Sequence, residues 1–466
     1  MTFRKCLYFV AGLVIFLSGS YLRYESAIST RVIQPVRANA REYVIHAYNL
    51  RINGVYSQHL AGDPYRPVVT QGLQTPGYPL FLAIFMDRWP DDAMIAEIVL
   101  CQTIISGITM ILAFLLFRMF LPVHLSLAAM ALTALSPHLI NFNSYLLTET
   151  LNCFLLVLFV WIMGLFWKKQ SPWLLAAAGS LMGLCMLVHP GLEGFVPVML
   201  VFLACRYGIK KGGKSGAVLL LGLFLVMFPW IIRNLITLGA ITDNTHLINF
   251  VFNGMYPDFV FEGAPASFPY PYLYDPRAAE ISKSIGSALS EIARRFHDEP
   301  IRHIIWFLVG KPLVLWSWDV VEGIRDAFVY PVSTSPYFSS LLFRSTHLLM
   351  HVLHGPLVLL AFAASLTAFF PLSRSTLPPE SIATVRLIAL LLLYFTVLHM
   401  IGAPDPRYTI PLRPVFHGMA LFFPYIQFRL TMPTQRMIFK SPAKNAALTA
   451  SSTDSQLSRK QAMFDS

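Results

Sequence analysis

Residues 94–117 read MIAEIVLCQTIISGITMILAFLLF, an apolar run close to the roughly 20 residues that a helix needs to cross a bilayer. Runs of the same kind return at residues 146–166, 218–236 and 388–401, and an earlier one, 7–22, follows Arg4 and Lys5. No single run decides the class; their repetition does. Composition agrees, with 56% hydrophobic and only 13% charged residues and a mean hydropathy of +0.59. A soluble chain of 466 residues could not cover that much apolar side chain with polar surface. The expected architecture is an all-α polytopic membrane protein with about ten transmembrane helices.

The first run is expected to be an uncleaved span, because the remainder of the chain needs the bilayer too and no A-x-A-like site follows it. Cys6, Cys101, Cys153, Cys185 and Cys205 fall in or beside apolar runs, and they read as free thiols packed as small apolar groups. The net charge of +11 is explained by where the cations sit. With a cytoplasmic N-terminus, the even-numbered connections carry Arg118, then Lys168 and Lys169, then Arg206, Lys210, Lys211 and Lys214. The opposite turns, 141–144 and 189–193, carry no lysine or arginine, which is the positive-inside asymmetry. Continuing the count puts Arg374 and Arg386 inside, Asp405 and Arg407 outside, and the tail with Arg429, Arg436, Lys440 and Lys444 inside. The apolar stretch 304–318 would invert the later count if it crossed; Lys311-Pro312 and Trp306, Trp316 and Trp318 predict an interfacial or re-entrant element.

Residues 1–428 are expected to form the membrane domain, with external segments at 23–92 and 234–336. Both are too long to be idle connections. In the second, Ile281, Ile285, Leu289, Ile292 and Phe296 share a helical face opposite Lys283, Glu291, Arg294 and Arg295, which predicts a helix on the bilayer surface or one capping the segment. Residues 429–466 form a basic, Ala/Ser/Thr/Lys-rich tail without periodicity, expected to be disordered. The sequence shows no internal repeat, P-loop, dinucleotide fingerprint or nucleic-acid-binding motif, and nucleic acid is not an expected partner.

Five motifs follow one another along the chain. After the first span comes ANAREYVIHAYNLRINGVYS, then QTPGYPLFLA entering what is predicted as the second span. LLTETL at 146–151, VHPG at 188–191, PWIIRN at 229–234 and PDPRYTIPLRP at 404–414 come later. Together they resemble the C superfamily of glycosyltransferases (GT-C), in particular bacterial members similar to lipid A aminoarabinose transferases, protein O-mannosyltransferases and the Rgt-type transferases. Tyr43, Asn49, Leu50, Gly54, Tyr56, Ser57, Pro76, Gly77, Tyr78 and Pro79 stand where that pattern wants them, and His189 replaces an arginine of the family turn.

The resemblance implies a GT-C-like bundle that moves a sugar from a polyprenyl-phosphate carrier to a glycan, lipid or protein acceptor on the periplasmic or lumenal side of a cell membrane. Such chemistry asks for a carboxylate near the acceptor hydroxyl and cations near the departing phosphate. The family's catalytic aspartate stands four residues before the tyrosine, and here that position is Asn39, which cannot act as a base. Glu42, one helical turn on, is a substitute candidate; Asp63 is a weaker one. Glu149, at the edge of an apolar helix, should face a polar cavity or a cation, orienting substrate or a divalent ion such as magnesium or manganese. Arg407 with Tyr408 is expected to hold phosphate, followed by Arg233 and Arg41. His189 has no partner at ligand spacing and reads as a turn or packing residue. Two other readings compete: a carrier-binding relative that lost catalysis, suggested by Asn39, and a flippase of lipid-linked precursors, which the scarcity of mid-membrane charge and the lack of repeats disfavour.

Overall fold

The computed structural model describes residues 3–60, 74–242, 245–321, 324–370 and 377–431. Asp63, Arg374, Arg436, Lys440, Lys444 and nearly all of the 429–466 tail lie outside them. The chain divides into two compact units, Met1–Phe423 and Pro424–Ser466, and every residue of the candidate site belongs to the first.

Seven helices among the described residues are long and apolar enough to cross a bilayer: Phe3–Ser29, Asp92–Phe117, Glu149–Lys169, Pro190–Tyr207, Ile209–Leu238, Leu341–Thr367 and Pro379–Ile401. Val123–Leu135 and Pro137–Ser144 make an eighth if they count as one span bent by 54°. The bend has a local cause: Pro137 disfavours a helical Ser136, whose ψ is 114°, and the next helix restarts at the proline itself. About ten spans were expected; the remaining apolar runs form Pro172–Val188, of 17 residues, and Arg413–Thr431, of 19. Large apolar side chains such as Val14, Leu17, Ile104, Leu225 and Leu359 point outward, as a lipid-facing surface requires.

Two expectations need correction. QTPGYPLFLA does not open a span: it forms the short helix Gly77–Ala83, because Asp87, Arg88 and Pro90 interrupt the apolar run. The second long helix starts afresh at Asp92, where Asp91 Oδ1 accepts the Met94 amide at 2.9 Å. The first span also runs beyond residue 22, to Ser29. Of the two placements expected for the amphipathic helix in segment 234–336, Ile285–Asp298 takes the capping one. Glu291 is buried among Arg277, Arg294 and Arg295, whereas Leu289 is exposed. The helix packs on Val251, Phe252, Met255 and Tyr256, so it caps the segment.

Residues 304–318 form part of an interrupted helix, Pro300–Ile305, a π-turn Trp306–Gly310 and Lys311–Leu315, which is not among the spanning helices. Lys311 Nζ donates to the carbonyls of Met400 and Ile401 at 3.0 and 3.1 Å, closing the C-terminal end of Pro379–Ile401. The two long segments 23–92 and 234–336 are joined by a short antiparallel pair, Arg31–Val32 with Val332–Thr334.

Candidate active site

The motif segments meet at one end of the bundle. Gly77 lets the PGYP turn approach the end of Pro172–Val188 so closely that a Cβ there would lie 2.6 Å from the Leu187 carbonyl. Next to this contact, Ala38–Tyr48 turns Tyr43, Val44 and Ala47 inward and leaves Asn39, Arg41 and Glu42 on its exposed face. Tyr43 packs edge-on against Tyr78 with ring centroids 5.2 Å apart. Tyr78 donates its hydroxyl to Gln102 Oε1 at 2.7 Å, and Gln102 Nε2 donates to the carbonyls of Asn143 and Tyr145, both at 2.9 Å. A buried amide in an apolar helix thus fixes the turn that leads into LLTETL.

Glu149 opens the helix Glu149–Lys169, where the helix dipole favours its negative charge. Thr148 makes no side-chain cap there. Glu149 Oε1 accepts from Arg407 Nε, and both side chains are buried. Arg407 is set by the 3₁₀ stretch Pro406–Leu412, whose start is capped by Asp405 Oδ1 accepting the Arg407 amide at 2.9 Å. The Glu149 carboxylate holds the Arg407 guanidinium charged, against the burial that opposes the charge. Burial likewise keeps the Tyr43 phenol protonated well above its usual range, with Arg407 pulling the other way and Glu149 adding to the shift. Among the described residues, Glu149 Oε2 has no hydrogen-bond partner. The Glu149 residue borders a small cavity of about 10 Å³, lined also by Asn143, Thr150, Arg23, Leu139 and Phe142.

The other predicted site residues are placed differently. Glu42 is exposed, and its Oε2 accepts from Gln74 Nε2, so the carboxylate is held over the outer face of its helix. Asn39 and Arg41 are exposed on the same face. Arg233 pins segment 23–92: Nη1 donates to Asn234 Oδ1 at 2.9 Å and Nη2 to the Tyr56 carbonyl at 3.3 Å, while the guanidinium covers the Tyr56 and Trp230 rings. The Tyr408 ring packs on His189 and His399, with ring centroids 5.8 and 5.0 Å apart. His189 accepts the Gly191 amide at 3.2 Å, as a turn residue does. Among the described residues no group of three or more His, Cys, Asp or Glu side chains could hold a metal ion.

Sequence reasoning passed over Gln102, Asn143 and Arg23. Arg23 is buried in the first span, its Nε donating to Ser106 Oγ at 2.8 Å and its Nη atoms to the carbonyls of Gly19, Ala134 and Thr133 at 2.8–3.1 Å. The available signal was a charged or amide side chain inside an apolar run.

Residues 74–232 match the family model described as dolichyl-phosphate-mannose-protein mannosyltransferase. No curated protein matches the chain. Among solved structures it is similar to the archaeal oligosaccharyltransferase AglB from Archaeoglobus fulgidus in complex with an inhibitory peptide and a dolichol-phosphate. That match has 14% identity and a TM-score of 0.48, and covers 95% of this chain and 53% of that one. The Archaeoglobus fulgidus oligosaccharyltransferase tethered with an acceptor peptide containing the NVT sequon is similar at 15% identity, with 92% and 51% coverage and a TM-score of 0.48. The chain therefore spans about half the length of the structures it matches. Residues 74–232, about a third of the chain, thus carry the mannosyltransferase match, within a helical architecture whose long apolar helices suit a multi-pass membrane protein.

Proposed function

We propose that this protein moves a sugar from a polyprenyl-phosphate donor to a glycan, lipid or protein acceptor on the external face of the cell membrane, with both termini cytoplasmic. The observation that carries the reading is the buried Glu149–Arg407 pair, which joins the LLTETL and RYTIPLRP motifs beneath Tyr43 of the first external segment. Transfer needs a carboxylate to take the acceptor proton and cations to offset the charge gathering on the leaving phosphate. Glu149 fits the first role better than Glu42 does. One of its oxygens is held by a guanidinium and the other is unpartnered among the described residues, whereas the Glu42 carboxylate is turned outward onto Gln74. Arg407 orients Glu149 and lies where phosphate charge would develop; Arg233, partly exposed beside Tyr56, is the second cation. Because the pair is closed to solvent, donor entry requires the PGYP turn and the helix Ala38–Tyr48 to move off it.

The test is a mass-spectrometric comparison of membrane lipids and glycans from cells with and without the gene. Loss of one sugar from one product is expected, and unchanged profiles in every fraction would overturn the reading. The second reading, a carrier-binding relative without catalysis, is favoured by one observation: an amide, Asn39, occupies the exposed position where the family resemblance expects an aspartate. New transfer by Asn39→Asp from a silent parent would establish it.

A further inference from the structure

Gln102 is a fully buried amide inside the apolar helix Asp92–Phe117, where a polar side chain is costly and marks a function. Its three hydrogen bonds are divided between two segments. Oε1 accepts the Tyr78 hydroxyl of the PGYP turn at 2.7 Å, and Nε2 donates to the carbonyls of Asn143 and Tyr145, both at 2.9 Å. Among the described residues no hydrogen bond passes directly between 76–83 and 142–150, so the amide is the polar link between them.

Residues 141–150 are buried throughout, although 145–148 form no helix or strand. Buried irregular backbone needs partners for its carbonyls, and Gln102 supplies two of them. Asn143 carries the link one step further: its Oδ1 accepts from Thr150 Oγ1 at 3.0 Å, in the first turn of the helix that Glu149 opens. Tyr145 reaches the other way, donating its hydroxyl to the Tyr330 carbonyl at 3.4 Å, and the Tyr330 hydroxyl accepts the Ala40 amide at 3.3 Å. The PGYP turn and the helix Ala38–Tyr48, which cover the Glu149–Arg407 pair, are therefore both tied to one amide, directly or through Tyr145 and Tyr330. An apolar side chain of the same length could fill the space. Only a group with an acceptor and two donors holds both segments at once.

We infer that Gln102 is a positioning residue that sets the place of the Glu149 carboxylate only while the PGYP turn is docked. Opening of the turn to admit the donor breaks the Tyr78 bond and re-docking restores it, so the site is complete only once it has closed. The effect on rate rests on the transfer reading, whereas the mechanical link does not.

The test uses the full chain in nanodiscs as wild type, Tyr78→Phe, Gln102→Met, Glu149→Gln and the Gln102→Met/Glu149→Gln double variant. Tyr78→Phe removes one bond of the amide, and Gln102→Met removes all three at similar side-chain length. First, a hydrophobic carbodiimide labels buried carboxyl groups, and mass spectrometry follows the peptide that carries Glu149. Labelling of Glu149 should rise severalfold in Gln102→Met and less in Tyr78→Phe, with labelling of Glu291 unchanged. Wild-type labelling of Glu149 in both variants, or an equal rise at Glu291, would overturn the link. If Gln102→Met fails to fold, Tyr78→Phe decides alone. Second, sugar transfer is measured as a double-mutant cycle. Gln102→Met should lower kcat by about 10–100-fold and leave KM unchanged or lower. It should change the residual rate of Glu149→Gln by less than about twofold, because both act through one carboxylate. Equal factors in the two backgrounds would make Gln102 a packing residue and overturn the inference. A wild type without transfer, whose Glu149 labelling still responds to Tyr78→Phe, would sink the transfer reading and uphold the link, so the two failures are distinguishable.

Discussion

Arg407 lies in the first turn of the 3₁₀ stretch and Arg413 directly after it, and the two are buried to nearly the same degree, yet their surroundings differ completely. Arg407 meets the carboxylate of Glu149, whereas Arg413 meets an indole face and imidazoles with two of its N–H atoms unpartnered among the described residues. The comparison teaches that burial alone does not tell what a cation contributes. A paired guanidinium holds the fold together and an unpaired one works against it, so the two should respond to substitution with opposite sign.

The largest expected effect on stability is at the pair. Arg407→Ala leaves the Glu149 carboxylate buried without its cation and should cost about 3–5 kcal/mol, read as a fall in melting temperature of the detergent-solubilised chain. An unchanged melting temperature would show that the two groups do not form a buried pair. Next in size is the acid response of segment 234–336. Hydrogen bonds from Arg294 and Arg295 pull Glu291 down from 4.5 to about 2. A lowered carboxylate stabilises the fold fully above its unfolded value and loses that stabilisation as pH falls through its folded value. Protection of residues 251–256 in hydrogen exchange should therefore be constant above about pH 5 and fall between about pH 4.5 and 2, by on the order of 2 kcal/mol at most. Glu291→Gln should remove that pH dependence.

His46 offers a milder test in a different window. Burial lowers its imidazole to about 4, against an ordinary 6.5, while its ring nitrogen Nδ1 lies 2.7 Å from the Glu42 carbonyl. The unfolded chain binds the extra proton first, so stability of segment 23–92 should decline as pH drops from about 6.5 toward 4, and His46→Gln should flatten the decline. The smallest effects mark the contrast with Arg407. Arg413→Met should leave stability unchanged or raise it by about 1 kcal/mol, and exposed Glu42→Gln should stay within about 0.5 kcal/mol.

Much of this was legible before any coordinates. Repeated apolar runs gave the helical membrane class, and the approach of Glu149 and Arg407 follows from motifs that each lie at a helix end. What stayed hidden depended on contacts between distant segments. Tyr408 sits beside Arg407 in sequence, but the 3₁₀ turn sends it toward His189 and His399. A helical wheel puts Glu291 on one face with Arg294 and Arg295 but cannot show Arg277 reaching it from outside the helix. The second span was misplaced because periodicity does not reveal that Asp87–Pro90 and the Asp91 cap restart the helix. Arg413 was part of a quoted motif, but only the fold brings His138, Trp318 and the imidazoles of Leu341–Thr367 around it.

The most direct test of the account is the transfer rate of Glu149→Gln. The full chain is reconstituted with a labelled polyprenyl-phosphate sugar and an acceptor extract, with probe binding and elution shown to match the wild type. The account expects transfer to fall by about 10²–10⁴-fold while the carrier is still bound. Transfer at the wild-type rate from a folded Glu149→Gln protein would contradict it.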